Sequence, residues 1–530
     1  MLLLLLCLWS CDRAVREDGR TVFRYNQHNP VTSLDPAFAR TQNNIWAVDA
    51  LFDGLVQLDD SLRLQPCLAR SWVVDSGGLV YRFHLRTDVF FHDDPCFPDG
   101  RGRRMTAHDV LFSFERLLDD QWPKPGSWIF KGRVDSLRPF VVENDSTFVL
   151  RLQRPFQPLL YILSMPYAFV VPHEALAYYD RDFRRHPVGT GAFRLKVWAE
   201  GHAMVLLKNP RYFETDSAGH RLPYLDAVRI AFMGDRKTAY LEFRKGNLDY
   251  LFGLESSYTS ELLTPEGALK PELADRIYLV KNPYLNTEYL GIRMGPSGAA
   301  VLQNKKVRQA LNFGFDRAAM LRTLRRGVGR PADAGFAPAG MPGYNPAAVP
   351  GYRFDPAQAA ALLREAGYPG GQGLPELTLL CNADYADLAV FISRQWEDLG
   401  IRCRIALQET AVLRERMRNG QAPFFRASWI ADYPDAESYY TCFYSKNGAP
   451  PNYTGFSNPA FDRLYERALA ETDEPVRLAL YQQMEAILVE EAPVVFLFYD
   501  ESAQFVSRAV QNMPRNAMGL LRLKGVKKDG

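Results

Sequence analysis

The stretch from Leu377 to Leu407 restricts the fold more than any other part of this chain. Leu377-Thr378-Leu379-Leu380-Cys381 is an apolar run of strand length. A helical segment with Phe391 and Trp396 follows and ends at Gly400, and Ile401 to Leu407 reads as a second strand. Strand, helix and strand in such close succession form a crossover unit, whose two strands run parallel. This half of the chain is therefore expected to build a parallel sheet covered by helices.

Other segments alternate in the same way. Thr106-Ala107-His108-Asp109 reads as a capping box, and Val110, Phe114, Leu117 and Leu118 supply one helical stripe behind it. Asp355-Pro356 opens a helix through Leu362, Leu363 and Ala366 that stops at Gly367. Asn458-Pro459 starts another, with Phe461, Leu464, Tyr465, Ala468 and Leu469 on one face. A further helix covers about 474–491 and ends at Pro493, and Val494 to Tyr499 is an apolar strand. At 530 residues the chain exceeds what one ordinary core serves, so two or three domains are expected. A net charge of +2 gives no reason to expect a nucleic acid partner.

The membrane signal is confined to the start. Leu2 to Leu6, Cys7, Leu8 and Trp9 form an apolar run of about eight residues, against the ~20 that span a bilayer. Ser10-Cys11 and a polar stretch follow, which reads as an export signal ending at a cysteine. Of the seven cysteines, Cys7 leaves with such a signal, and Cys67, Cys96, Cys381, Cys403 and Cys442 remain beyond Cys11. Cys67 with Cys96 and Cys381 with Cys403 are conceivable disulfides, and the odd number leaves a thiol unpaired. No CxxC pair is present, so a cysteine zinc site is not expected.

The motifs of catalysis are missing. There is no G-x-S-x-G elbow, and His173-Glu174 lacks a second histidine because Ala177 stands in its place. His92, Asp93 and Asp94 have metal-ligand types, but adjacent residues on an extended segment point to opposite faces, and neither metal nor cofactor is expected. Gly189-Thr190-Gly191 is followed by Phe193 to Trp198, which alternates like a strand, so it reads as a tight turn at a domain junction rather than a phosphate loop. Phe424 to Ile430 is an apolar strand that runs into Asp432-Tyr433-Pro434-Asp435. Asp435 reads as a turn cap.

In their order and spacing these segments resemble the family 5 solute-binding proteins of ABC importers, the oligopeptide-, dipeptide- and nickel-binding receptors. The resemblance is carried by Ser33-Leu34-Asp35-Pro36, Leu51-Phe52-Asp53-Gly54-Leu55, Leu68-Ala69-Arg70-Ser71-Trp72, Tyr81 to Arg86 with Phe91-His92-Asp93, and Thr106 to Arg116. It continues through Pro187-Val188-Gly189-Thr190-Gly191, Val307-Arg308-Gln309-Ala310-Leu311 to Asp316-Arg317, and Asp432-Tyr433-Pro434-Asp435. Departures are His186 for the usual Asn, Ala192 for the usual Pro, and an insertion at 94–104 containing Cys96.

The resemblance implies an α/β two-lobed periplasmic binding protein fold (type II, cluster C) with an extra inserted domain. Residues 1–19 map to signal, lipobox and tether, and 20–50, 186–280 and 494–530 to the first lobe. The inserted domain maps to 51–185 and the second lobe to 281–493, with crossings near Asn282-Pro283 and Pro493. Leu8-Trp9-Ser10-Cys11 resembles a lipobox, with Trp9 bulky for its position, and implies lipidation at Cys11. The protein is then expected to be an extracytoplasmic monomer in the periplasm or cell envelope. It would be held to the membrane by lipid only, handing a peptide to permease subunits.

For the site, the resemblance implies that Asp432 pairs with a ligand α-ammonium, a role that fits the cost of burying an unpaired charge. Arg426 matches a position that can meet the ligand's C-terminal carboxylate. Trp429 is open between core packing and a pocket wall. The backbone of Ser428 to Ile430 would hold the peptide main chain as an added strand does, opposite a first-lobe segment near Arg40, Thr41 and Gln42. Tyr284, Leu285 and Asn286 are weaker candidates. Receptors for a nickel chelate, an oligosaccharide or another small solute remain open, as does peptide sensing without transport.

Overall fold

The computed structural model describes residues 20–529 except 76, 120, 121, 123, 254 and 255, so the expected export signal and Cys11 lie outside the described residues. Among the described residues no helix is long and apolar enough to cross a membrane.

An eleven-stranded sheet runs through the molecule. At one end the Leu377–Cys381 and Cys403–Leu407 strands pair in parallel, connected by the Ala386–Glu397 helix, as the apolar run and Gly400 predict. The Phe424–Ile430 strand comes next. At the other end Val22–Asn26 pairs in parallel with Ala227–Ala231 and with Tyr250–Phe252, and the Phe193–Ala199 and Ala203–Lys208 hairpin closes the edge.

Two long antiparallel strands, Ile277–Ile292 and Val494–Ser507, join these halves. Ile277 to Pro283 pairs with Glu501 to Ser507 on the first-lobe side, and Thr287 to Gly291 pairs with Val494 to Tyr499 on the second-lobe side. The register slips between Pro283 and Thr287. The outward crossing thus falls close to Asn282-Pro283. The return crossing falls between Tyr499 and Glu501 instead of at Pro493. Pro493 merely ends the Glu474–Glu491 helix, and the strand beyond it runs on through both halves.

Residues 69–151 form a separate four-stranded antiparallel sheet backed by the Ala107–Leu118 helix. That helix begins with the expected box, the Thr106 N–H donating to the Asp109 carboxylate at 2.8 Å. Its apolar face is not independent of the first lobe. Phe83, Phe114 and Phe148 belong to one continuous core with Phe23, Trp46 and Met204. The same part of the chain also reaches the second lobe. Leu58 and Leu62 pack in the second-lobe core, and the Gln157 N–H donates to the Leu469 carbonyl at 3.1 Å.

The Gly189-Thr190-Gly191 turn sits where these parts meet. The Gly191 N–H bonds the Leu51 carbonyl at 3.0 Å, and Thr190 Oγ1 donates to buried Asp53 at 2.8 Å. His92 lies beneath the turn, with Nε2 3.0 Å from the Gly191 carbonyl, and burial pushes its pKa down to about 4. The turn and His92 thus pack the junction of these parts.

The two conceivable disulfides do not form. All five described cysteines are free. Cys403 is in register with Leu377, and Cys381 with Leu407, which separates the two thiols by about 13 Å along the sheet, beyond disulfide reach. Cys67 is instead buried against Asp53, with its sulfur 3.8 Å from the carboxylate.

Candidate ligand-binding cleft

Asp432 comes just after the Phe424–Ile430 strand, where the chain leaves the sheet at Ala431. Its N–H donates to Ser438 Oγ at 3.1 Å, which fixes the turn. Its carboxylate has no hydrogen-bond or ion-pair partner among the described residues. Solvent reaches the side chain through the cleft, while the protein around it raises its pKa to about 6 by desolvation. An uncompensated carboxylate in such a place favours a cation beside it.

The space it faces encloses about 260 Å³. Its walls come from four separate parts of the chain. Arg40, Gln42 and Trp46 come from the first lobe, Met165 and Tyr167 from the inserted part, Tyr284 and Ile430 to Pro434 from the second-lobe side, and Met518 to Leu520 from the C-terminal segment. Trp46 is held in place by its Nε1–H, which donates to the Gly519 carbonyl at 2.9 Å. A second space, of about 210 Å³, shares Gln42 and Trp46 with the first. A third, of about 970 Å³, shares Arg236 with the second and ends at Tyr385 and Arg322 to Arg326. Shared lining residues set the three spaces side by side, and together they are the candidate groove.

Main-chain groups lie next to this groove at Ile430, which lines the first space. The Ala431 N–H donates to the Leu285 carbonyl at 2.9 Å, so odd-numbered residues of this strand turn their peptide groups toward the Ile277–Ile292 strand. Ser428 and Ile430 turn theirs to the opposite edge. There the Leu377–Cys381 strand pairs only at Phe425, through Leu380. The Ser428–Ile430 edge is thus open to another extended chain.

The remaining predicted residues are placed differently from one another. Gln42, Ile430 and Asp432 line the first space with Arg40. Thr41 is exposed and is the N-cap of the Gln42–Leu51 helix, so this first-lobe segment presents a helix start. The Asn44, Trp46, Ala47, Val48 and Leu51 stripe, buried on one face, is what winds it into a helix. Trp429 is half-buried against the second-lobe core, its Nε1–H bonded to the Ser438 carbonyl at 2.6 Å, and does not line the three spaces. Arg426 does not line them either, for its guanidinium is paired with Glu288. Asp435 is a buried turn cap that accepts from the Glu437 N–H at 2.9 Å and from the Tyr481 hydroxyl at 2.6 Å.

Two wall elements were not legible in sequence. Trp46 stands four residues after Gln42 on one helix, a spacing that could have marked it. The C-terminal segment carries no such signal, because its Met518 and Gly519 reach the cleft only through tertiary folding. His173 and Glu174 approach Asp109, but Arg103 fills that space, bonded to Glu174 at 2.5 Å and Asp109 at 2.6 Å.

Comparison with known proteins agrees with this geometry. The model of the bacterial extracellular solute-binding proteins, family 5, matches residues 63–451. A probable deoxycholate-binding periplasmic protein, YgiS of Escherichia coli K12, is 26% identical over 516 residues, covering 93% of this chain and 90% of its own. The dipeptide-binding protein DppE of Bacillus subtilis is 25% identical over 549 residues, covering 98% and 94%. Among solved structures, the periplasmic binding protein DppA from Helicobacter pylori, in complex with the peptide STSA, superposes with a TM-score of 0.77 at 25% identity, covering 98% of this chain and all of that one. With its two-lobed fold and interlobe groove, the chain belongs to the family 5 bacterial extracellular solute-binding proteins.

Proposed function

We propose that this protein is the receptor subunit of an ABC importer and captures di- or oligopeptides between its lobes. The observation that carries this is Asp432, a carboxylate with no partner among the described residues, facing the groove beside the open Ser428–Ile430 strand edge. A peptide's α-ammonium meets the acid, and its main chain adds to the strand edge, so side chains need not be read one by one. The names of a dipeptide-binding relative and of a peptide-bound structural neighbour support the same reading.

Binding draws the lobes together by flexing at Tyr284 to Asn286 and at Asp500, where the two joining strands lose register. The closed receptor, a monomer, then docks on permease subunits. The groove supplies a charge and main-chain groups for holding a ligand, and we read the protein as binding without turnover. A different solute is the second reading. It is favoured by the apolar walls at Ile45, Trp46, Met165 and Met518, and by a relative named for deoxycholate.

Calorimetry with tetraalanine and its N-acetyl derivative tests the first reading. The free amine is expected to bind, and acetylation to cost about a hundredfold in Kd. Equal binding of both removes the ammonium contact at Asp432, and binding of neither, or of deoxycholate alone, removes the peptide assignment.

Cys11 lies outside the described residues, and lipidation there completes the proposal. Cys11→Ser is expected to move the protein from the membrane to the soluble fraction, and a variant that stays with the membrane rejects this anchor.

A further inference from the structure

Arg426 shares a strand face with Ser428 and Ile430, and the pairing sets Ser428 opposite Glu288 and Ile430 opposite Asn286. A chain of charges closes on that face. The Arg426 guanidinium bonds the Glu288 carboxylate, with the two side chains only 13% and 3% exposed. Asn286 Nδ2 donates to Glu288 at 3.1 Å and to Asp500 at 3.3 Å, and Asp500 accepts from Arg325 at 2.6 Å. Arg426 also lies over the Tyr385 ring, 3.0 Å from its centre. Tyr385 and Arg325 line the third space, which shares no lining residue with the space at Asp432. Two guanidinium groups and two carboxylates leave the cluster neutral.

A guanidinium forms its strongest bonds with a carboxylate, and here that partner comes from the protein. A ligand carboxylate arriving at Arg426 must share a charge that Glu288 already compensates or displace Glu288, which is buried on the sheet face and would be left with a neutral amide and a like charge beside it. The penalty for that stranded charge offsets the new pair.

We propose that Glu288 is a built-in counter-anion that occupies Arg426, so that Arg426 adds no affinity for a ligand's C-terminal carboxylate and the receptor tolerates a neutral end at that place. Glu288 is then a specificity-determining residue. Any preference for an acid end comes from other groups, such as Arg322 and Arg326 at the rim of the far space. This rests on the peptide reading and goes beyond it, because the position of Arg426 by family resemblance implied the opposite role.

The test compares tri- to hexaalanine as free acids and as C-terminal amides by calorimetry. The quantity is the ratio of amide to acid Kd in the wild-type protein, in Glu288→Gln, and in the double variant Glu288→Gln with Arg426→Gln. Freed of its partner, Arg426 should bind the ligand acid. Glu288→Gln is therefore expected to raise the ratio about tenfold at the length whose end reaches it, a gain of about 1.4 kcal/mol. The double variant should return the wild-type ratio within about threefold. An unchanged ratio in Glu288→Gln, or a tenfold fall in the double variant, overturns the proposal. Should Glu288→Gln not fold, the double variant decides alone, since it removes both charges of the pair. If the wild-type protein binds neither acids nor amides, the peptide reading itself has failed, and this inference falls with it.

Discussion

Asp432→Asn is expected to weaken binding of a free-amine peptide by about two to three decades in Kd while leaving the fold intact. The carboxylate has no partner in the cleft among the described residues, so the folded protein loses no contact when it goes. The bound state loses an ion pair that both lobes enclose. Removing one partner of such a pair costs about 3 kcal/mol or more, which is two decades or beyond. Much of that is the stranded ammonium of the ligand.

The same group sets the pH dependence. In the free protein its pKa is raised to about 6 by desolvation, and an arriving ammonium favours the charged form. Affinity is therefore full above about pH 7 and falls as pH drops through 6, by up to tenfold per unit, as protons compete for the carboxylate. Calorimetry between pH 5 and 8 on both proteins checks this. A flat profile in the wild-type protein, or unchanged affinity in the variant, excludes Asp432 from the site.

Gly189→Ala is expected to cost about 3 kcal/mol or more of stability, or to abolish folding. A β-carbon at Gly189 would be driven into the Leu51 carbonyl oxygen and to 2.7 Å from the Phe52 ring. Neither neighbour can give way. Phe52 is buried in the shared core, and the Leu51 carbonyl already accepts the Gly191 N–H. His92 seals the other side of the turn. The turn is where the inserted part joins the first lobe, so the loss should appear in cooperative unfolding of both, read as a lowered denaturant midpoint. A variant of wild-type stability would mean that the turn relaxes freely, against the close approach seen here.

Local patterns reached far in this chain. The crossover at 377–407, the capping box at Thr106 and the Asp355 cap, whose carboxylate accepts from the Gln358 N–H at 2.9 Å, all depend on near neighbours in sequence. Residue spacing and end signals suffice there, because the forces involved act over a turn of helix or a few strand residues. Errors came where a local signal was asked to report a distant contact. Pro493 ends a helix but does not say where the next strand changes partners. The segment near Arg40, Thr41 and Gln42 carries no local sign of its shape, and it is the Trp46 and Val48 face, packed on the core, that winds the chain from Gln42 onward into a helix.

The sequence by itself determined the family, the alternation of strands and helices, and Asp432 as the acid to watch, since motif order and periodicity are properties of the chain. Only the tertiary structure decided what surrounds that acid and what has become of Arg426. Met165, Tyr284 and Met518 converge on one cavity from segments far apart in sequence. Glu288 reaches Arg426 because two antiparallel strands place Ser428 opposite it, across 138 residues of sequence. A charge's role depends on which partner lies within a few ångströms, and no spacing along the chain encodes that distance.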